Sequence, residues 1–278
     1  MNANAAVRWR IIAASVAGTS HLEKGLPCQD AHSFRVLPGG ELLAAVSDGA
    51  GSAEHSQTGA HLAVEAALAG LEAFWQHGTP DDEAGWQAAI TGLFDEIHQI
   101  LADYADATDT PLRAFAATMT CALVTGGWLV VGQIGDGAAI AEDVDGTLFL
   151  TARPQRGEYA NEAFFLTLPD ATRCTTVVAA RRPVRALALT SDGLLRLALK
   201  LPGYKPHPQF FRPLLTFARE TADETQAQAD LADFLVSERV CARTDDDKIL
   251  LLAVRTESGE PNEQVNRRKR RRRKDDRL

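Results

Sequence analysis

Short apolar runs open the chain. Residues 8–17 and 32–37 read as strands, and E-L-L-A-A-V-S over 41–47 reads as a buried strand ending in a loop at Asp48-Gly49. The period then lengthens. Ala60, Val64, Ala67, Leu68, Leu71 and Phe74 or Trp75 recur at helical spacing and predict one long helix over 54–77. Gly78, Thr79 and Pro80 break it. A second helix is expected over 83–104, with Ile90, Leu93, Phe94, Ile97 and Leu101 on one face. Asp81 and Asp82 supply cap and dipole charge ahead of its first turn.

From Phe115 the period shortens again. Runs over 119–124, 128–134 and 138–144 are apolar and separated by glycines, and Asp145-Gly146 makes a hairpin turn into 147–151. Further strands are expected at 164–168, 175–179 and 184–190, helices at 193–199, 209–220 and 224–238, and a last strand at 248–254. The order does not alternate as βαβα. That argues against a parallel doubly wound sheet and for an α+β domain whose sheets are long enough to stack. The domain is expected over 8–256, followed by a disordered basic tail over 257–278.

Composition changes this picture little; charge changes it more. The 278 residues can bury a substantial core, with 45% hydrophobic and 24% charged positions. The net charge of −8 hides an asymmetry, because residues 267–277 hold nine Lys or Arg and two Asp. The remainder keeps 20 of the 29 basic and 35 of the 37 acidic residues, a net of −15. An acidic body suits cation binding and does not favour nucleic acid. Cys28, Cys121, Cys174 and Cys241 are too far apart for a zinc or redox motif and read as reduced thiols, so a cytoplasmic protein is expected. Arg8 and Arg10 ahead of the apolar run 11–17 mimic a signal peptide, but the run is short and no cleavage site follows, so it reads as a strand. No stretch approaches the ~18 apolar residues of a membrane span.

The candidate chemistry lies in acidic residues at strand ends. Asp48 follows E-L-L-A-A-V-S, Asp192 follows R-A-L-A-L-T-S, Asp247 precedes K-I-L-L-L-A-V, and Asp30 precedes the strand at Ala31-His32. Any one of them alone is an ordinary turn residue. Together, carboxylates converging on one rim repel unless cations neutralise them, and oxygen donors select Mg²⁺ or Mn²⁺ over zinc.

Five motifs appear in order: C-Q-D-A-H from Cys28, S-D-G-A-G-S from Ser47, I-G-D-G from Ile134, L-T-S-D-G-L from Leu189 and D-D-K-I-L from Asp246. Over residues 10–255 the sequence resembles the metal-dependent protein phosphatases of the 2C type, bacterial members included. The resemblance implies a four-layer α-β-β-α sandwich of two antiparallel sheets flanked by helices. It implies a serine/threonine protein phosphatase that hydrolyses phosphomonoesters with water activated by two Mn²⁺ or Mg²⁺ ions, with room for a third. Asp48 would bridge two ions, joined by the Gly49 carbonyl. Asp192 and Asp247 would complete the other ion, Asp30 would act through water, and Asp136 would help hold the third. Asp30, Asp48 and Asp192 are the expected catalytic groups. Asp247 is preferred to Asp246 because it directly precedes the last strand, although a shift by one residue stays open. A phosphoserine or phosphothreonine protein is the implied substrate, and a cognate protein kinase the implied partner.

The chain departs from the family pattern in places. The arginine that many members carry ahead of the first motif is absent, and His21 and Lys24 are the nearby candidates for binding phosphate. Ala50 stands where some members have a histidine, which leaves His55 or water to protonate the leaving group. Two other readings compete. One is a catalytically silent module that binds phosphoproteins. The other is binding of nucleic acid or an acidic partner through R-R-K-R-R-R-R-K, residues 267–274.

Overall fold

Residues Leu42–Ser47 are buried at every position, which a strand achieves only with a layer on each face. The computed structural model, which describes residues 8–155 and 164–256, supplies both. Its strands are β1 (Arg8–Val16), β2 (Ala31–Val36), β3 (Leu42–Ser47), β4 (Met119–Val124), β5 (Leu129–Ile134), β6 (Ala138–Asp143), β7 (Leu148–Ala152), β8 (Thr176–Ala180), β9 (Val184–Thr190), β10 (Leu199–Lys200), β11 (Lys205–Pro206) and β12 (Lys248–Thr256). Its helices are α1 (Thr19–Glu23), α2 (Ser56–His77), α3 (Glu83–Ala107), α4 (Leu195–Ala198), α5 (Pro208–Glu220), α6 (Glu224–Leu235) and α7 (Glu238–Cys241).

Two five-stranded antiparallel sheets form, in the orders β1-β12-β9-β6-β7 and β2-β3-β4-β5-β8. Period-2 alternation sorts their side chains into separate cores. Leu42, Ala44 and Val46 of β3 meet Ile249, Leu251 and Ala253 of β12 between the sheets. Leu43 and Ala45 face the other way, onto Val64, Leu68 and Leu71 of α2 and Ile90, Phe94 and Ile97 of α3. Leu250, Leu252 and Val254 face Phe211 and Leu215 of α5 and Leu231 of α6. The result is the expected α-β-β-α sandwich.

The expected faces of the two long helices are the buried ones, and Phe74 packs inward while Trp75 stays exposed. Asp82 caps α3 by accepting a hydrogen bond from Gly85 N at 2.7 Å. Three elements differ from the sequence reading. Residues 164–168 form turns rather than a strand. There Leu166 is a single buried plug, its N–H donating to Ala117 O at 2.9 Å and its carbonyl lying 2.7 Å from His98 Nδ1. The helix expected over 193–199 is a 3₁₀ turn, the short α4 and then β10. The helix expected over 224–238 breaks at Ser237, whose extended backbone (φ −61°, ψ 149°) separates α6 from α7. The expected tail over 257–278 lies outside the described residues.

Candidate active site

Antiparallel pairing sets the end of one strand beside the start of its neighbour. Ala31 opposes Ser47, Met119 opposes Ile134, and Thr190 opposes both Ala138 and Leu250. The residues just beyond these ends therefore hang from one rim of the sandwich. They are Asp30, Asp48, Asp136, Asp192, Asp246 and Asp247, and both sheets contribute.

Local contacts hold the segments that carry Asp48, Asp136 and Asp192. Asp48 is pinned to the segment before β4: Thr118 N donates to its carbonyl at 2.8 Å, and its own N–H donates to Thr118 Oγ1 at 3.0 Å. Gly49 continues this pairing with a bridge to Ala117. The turn carrying Asp136 crosses from one sheet to the other. Gly135 takes φ +110°, a conformation that disfavours any side chain, and a Cβ there would lie 2.6 Å from the Thr118 side chain. Gln133, fully buried, splints this turn by donating to Gly135 O at 3.1 Å and Gly137 O at 2.6 Å. Gln155 accepts from Gly135 N at 2.8 Å. Ser191 Oγ, next to Asp192, accepts from Ile249 N at 3.1 Å and ties β9 to β12.

Asp48, Asp136 and Asp192 each offer a carboxylate oxygen, and the three oxygens lie within 4.8 Å of one another. Burial and mutual repulsion show in the protonation of Asp192 and Asp48. Burial pushes Asp192 up from 3.8 to about 7, with Asp136 and Asp246 adding like charge. Burial also raises Asp48 well above its ordinary 3.8, with Asp30, Asp192, Asp136 and Asp246 contributing repulsion. Asp30 lies deeper, 3% exposed, and is raised mainly by burial. Neither of its oxygens has a hydrogen-bond partner among the described residues, although Ser191 and Asp48 stand near enough to favour its charged form. Convergent, partly desolvated, oxygen-only donors at raised pKa fit a hard divalent cation, which would restore the ionised state.

The last motif divides its two aspartates. Asp247 is 3% exposed, and its carboxylate is turned to the backbone: Gly18 N donates to Oδ1 and Gln29 N to Oδ2, both at 2.6 Å. His21 Nδ1 lies 2.9 Å from Oδ1, off the line of a straight hydrogen bond. Asp247 is thus outside the three-carboxylate group, a clamp joining the strand end to the loops around α1. Asp246 is exposed and faces the same cleft as Asp192. Lys248, fully buried, donates from Nζ to the Asp246 carbonyl at 3.0 Å.

His21 is buried against Asp247, and Lys24 is exposed at the end of α1. His55 stacks on Phe115 with ring centroids 5.5 Å apart. Burial, then Asp30 and Asp247, push the Cys28 thiol far up, away from a nucleophilic thiolate. Gln133, Gln155, Ser191 and Lys248 escaped the sequence reading. Lys248 and Gln133 left a signal there, as polar residues in otherwise apolar strands, but neither named its partner.

Comparisons with known proteins point one way. A family model described as protein phosphatase 2C matches residues 17–236. Serine/threonine-protein phosphatase 3 of Escherichia coli (strain K12) is 37% identical over 257 residues, covering 88% of this chain and 98% of its own length. The serine/threonine phosphatase Stp1 of Staphylococcus aureus superposes with a TM-score of 0.60 at 15% identity, over 91% of this chain and 98% of that one. A serine-threonine phosphatase 2C of Toxoplasma gondii superposes with a TM-score of 0.61 at 12% identity, over 89% and 95%. At such identities the two structures speak for the fold alone.

Proposed function

The chain belongs to the protein phosphatase 2C family, and from that membership we propose that it removes phosphate from protein serine and threonine side chains, using divalent cations held by Asp48, Asp136, Asp192 and Asp246. The observation that carries this reading is the meeting of carboxylate oxygens from Asp48, Asp136 and Asp192 within 4.8 Å. Mn²⁺ and Mg²⁺ suit such donors. Bound there, they supply the charge that ionises a water near neutral pH and offsets the phosphoryl oxygens.

The chain's own residues would hold the ions and orient the water. Asp48 would be the central carboxylate donor to the ions, its backbone held by the two hydrogen bonds to Thr118, and the Gly49 carbonyl would join it. Asp192 and Asp136, whose carboxylate oxygens lie within 4.8 Å of those of Asp48, would complete the donor set, with Asp136 serving a third ion. Asp246 replaces Asp247 as the fourth carboxylate, because both oxygens of Asp247 are taken by Gly18 and Gln29. Asp30, more deeply buried than Asp48 and raised in pKa mainly by that burial, would orient water beside the ions. His21 and Lys24 are left out of phosphate binding. The four cysteines are free thiols, which suits a reducing compartment. No helix among the described residues is long and apolar enough to cross a membrane. We place the activity in the cytoplasm, opposite a protein kinase that supplies its substrates.

The test is hydrolysis of p-nitrophenyl phosphate and a phosphothreonine peptide by the full chain with Mn²⁺. Asp48→Asn is expected to lower kcat/KM by about 100-fold or more. No turnover by the wild type, or unchanged turnover by the variant, overturns the reading. Peptide binding without turnover would favour the silent module instead.

A further inference from the structure

Beside the aspartates opens a cleft of about 400 Å³, within the size range of ligand pockets. Its charged lining is Asp192, Asp245 and Asp246 on one hand and Arg196 and Arg243 on the other. Arg196 projects from α4, directly after the 3₁₀ turn that carries Asp192, and Arg243 follows α7 on the approach to Asp246. Both are exposed. Elsewhere on the surface Arg35 and Arg182 are paired with Glu72 and Asp143. Arg196 and Arg243 have no side-chain partner among the described residues.

We infer that this cleft is a second anion subsite, which takes an acidic group of the substrate chain next to the phosphorylated residue. The inference rests on the phosphatase reading above. Asp192 and Asp246 border the cleft, but Asp48 and Asp136 do not. An anion between the two guanidiniums therefore sits to one side of the reacting phosphorus. Once cations neutralise Asp192 and Asp246, the cleft keeps two positive groups against Asp245 alone. Away from its basic end, residues 267–277, the chain carries a net −15 and repels acidic substrates at longer range, so capture needs local cations. Guanidinium forks match carboxylate and phosphate alike. The bound group is thus an Asp or Glu side chain or a second phosphate, and His21 and Lys24 line no part of the cleft.

The experiment compares phosphothreonine peptides that differ only beside the phosphoresidue: neutral, Asp/Glu-rich, or carrying a second phosphoserine. p-Nitrophenyl phosphate, which has no flanking group, is the control. The wild type is expected to favour one or both acidic peptides over the neutral one by about tenfold in kcat/KM, the product of about threefold from each solvent-facing ion pair. The better of the two names the source of the anion. R196A/R243A should bring the acidic peptides down to the neutral level and leave p-nitrophenyl phosphate within about twofold, while R196K/R243K keeps part of the preference. Equal wild-type rates on all peptides overturn the subsite. So does loss of p-nitrophenyl phosphate turnover in step with the peptides, which would place the arginines on the reacting phosphoryl group or in the fold. If the wild type turns over nothing, the phosphatase reading itself has failed. Fluorescence anisotropy of the same peptides then decides separately: acid-dependent binding lost in R196A/R243A keeps the subsite, and equal binding removes it.

Discussion

Asp246 and Asp247 are neighbours of the same type, and the structure gives them opposite surroundings. Asp247 accepts two backbone N–H groups at 2.6 Å in a buried site, whereas Asp246 is exposed beside Asp192. Removing each carboxylate should therefore fail differently. Asp247→Ala leaves the N–H groups of Gly18 and Gln29 unpaired, which should cost about 3 kcal/mol and lower the Tm of the metal-free protein by about 6–12 °C. Asp246→Asn should leave that Tm unchanged or slightly raised, since it removes a repelling charge from Asp48 and Asp192, but weaken Mn²⁺ binding by about tenfold or more. Thermal melts in chelator and Mn²⁺ calorimetry on the same two variants separate the roles. If Asp247→Ala melts like the wild type and loses the metal, the assignment is reversed. Position before a strand could not have ranked the pair, because it does not reveal which side chain meets the Gly18 backbone, 229 residues away in sequence.

At the scale of elements, the β5–β6 turn has the most to do, since it carries Asp136 from one sheet to the other. Gln133 holds it by donating to two carbonyls. Gln133→Leu keeps the volume, orphans the Gly137 carbonyl and leaves the Gly135 carbonyl with Gln155 N as its one donor. The expected cost is about 1–3 kcal/mol, and because the displaced turn carries Asp136, Mn²⁺ affinity should fall as well. A destabilised variant that binds Mn²⁺ normally would show that the splint serves the fold alone. The sequence could not reveal this splint, since a glutamine inside the run 129–134 interrupts the apolar pattern without naming a partner. The layers themselves were legible, because faces such as Ile90, Phe94 and Ile97 on α3 follow from periodicity. The apolar run 164–168 was misleading. Leu166 enters the core alone, and hydrophobicity cannot tell one anchored plug from a strand. The break at Ser237 was likewise hidden, because Val236 and Ser237 both tolerate a helix.

At the scale of the whole molecule, the centre is a stored repulsion that protons or cations must relieve. Asp192 is raised from 3.8 to about 7, and Asp30 and Asp48 move in the same direction. A carboxyl whose folded pKa is raised binds its proton more tightly in the folded chain. Its stabilising contribution is complete below the unfolded value and is lost as pH rises through the folded one. For Asp192 that window runs from 3.8 to about 7. Glu142 and Asp143 have lowered values and act below their ordinary 4.5 and 3.8, outside a titration from about pH 5.5 to 8. His32, lowered from 6.5 by burial, opposes the trend, as one group against three carboxyls. In chelator, the Tm should therefore fall as pH rises across this range. Mn²⁺ needs the same carboxylates ionised, so its stabilising effect should grow as pH rises. At 100 times its Kd it should add about 2.7 kcal/mol, or about 5–11 °C. Melting curves with chelator and with Mn²⁺ at each pH test this directly. A Tm that rises with pH in chelator, together with a metal-induced shift that ignores pH, would mean that the carboxylates at the rim do not share one ion-binding centre.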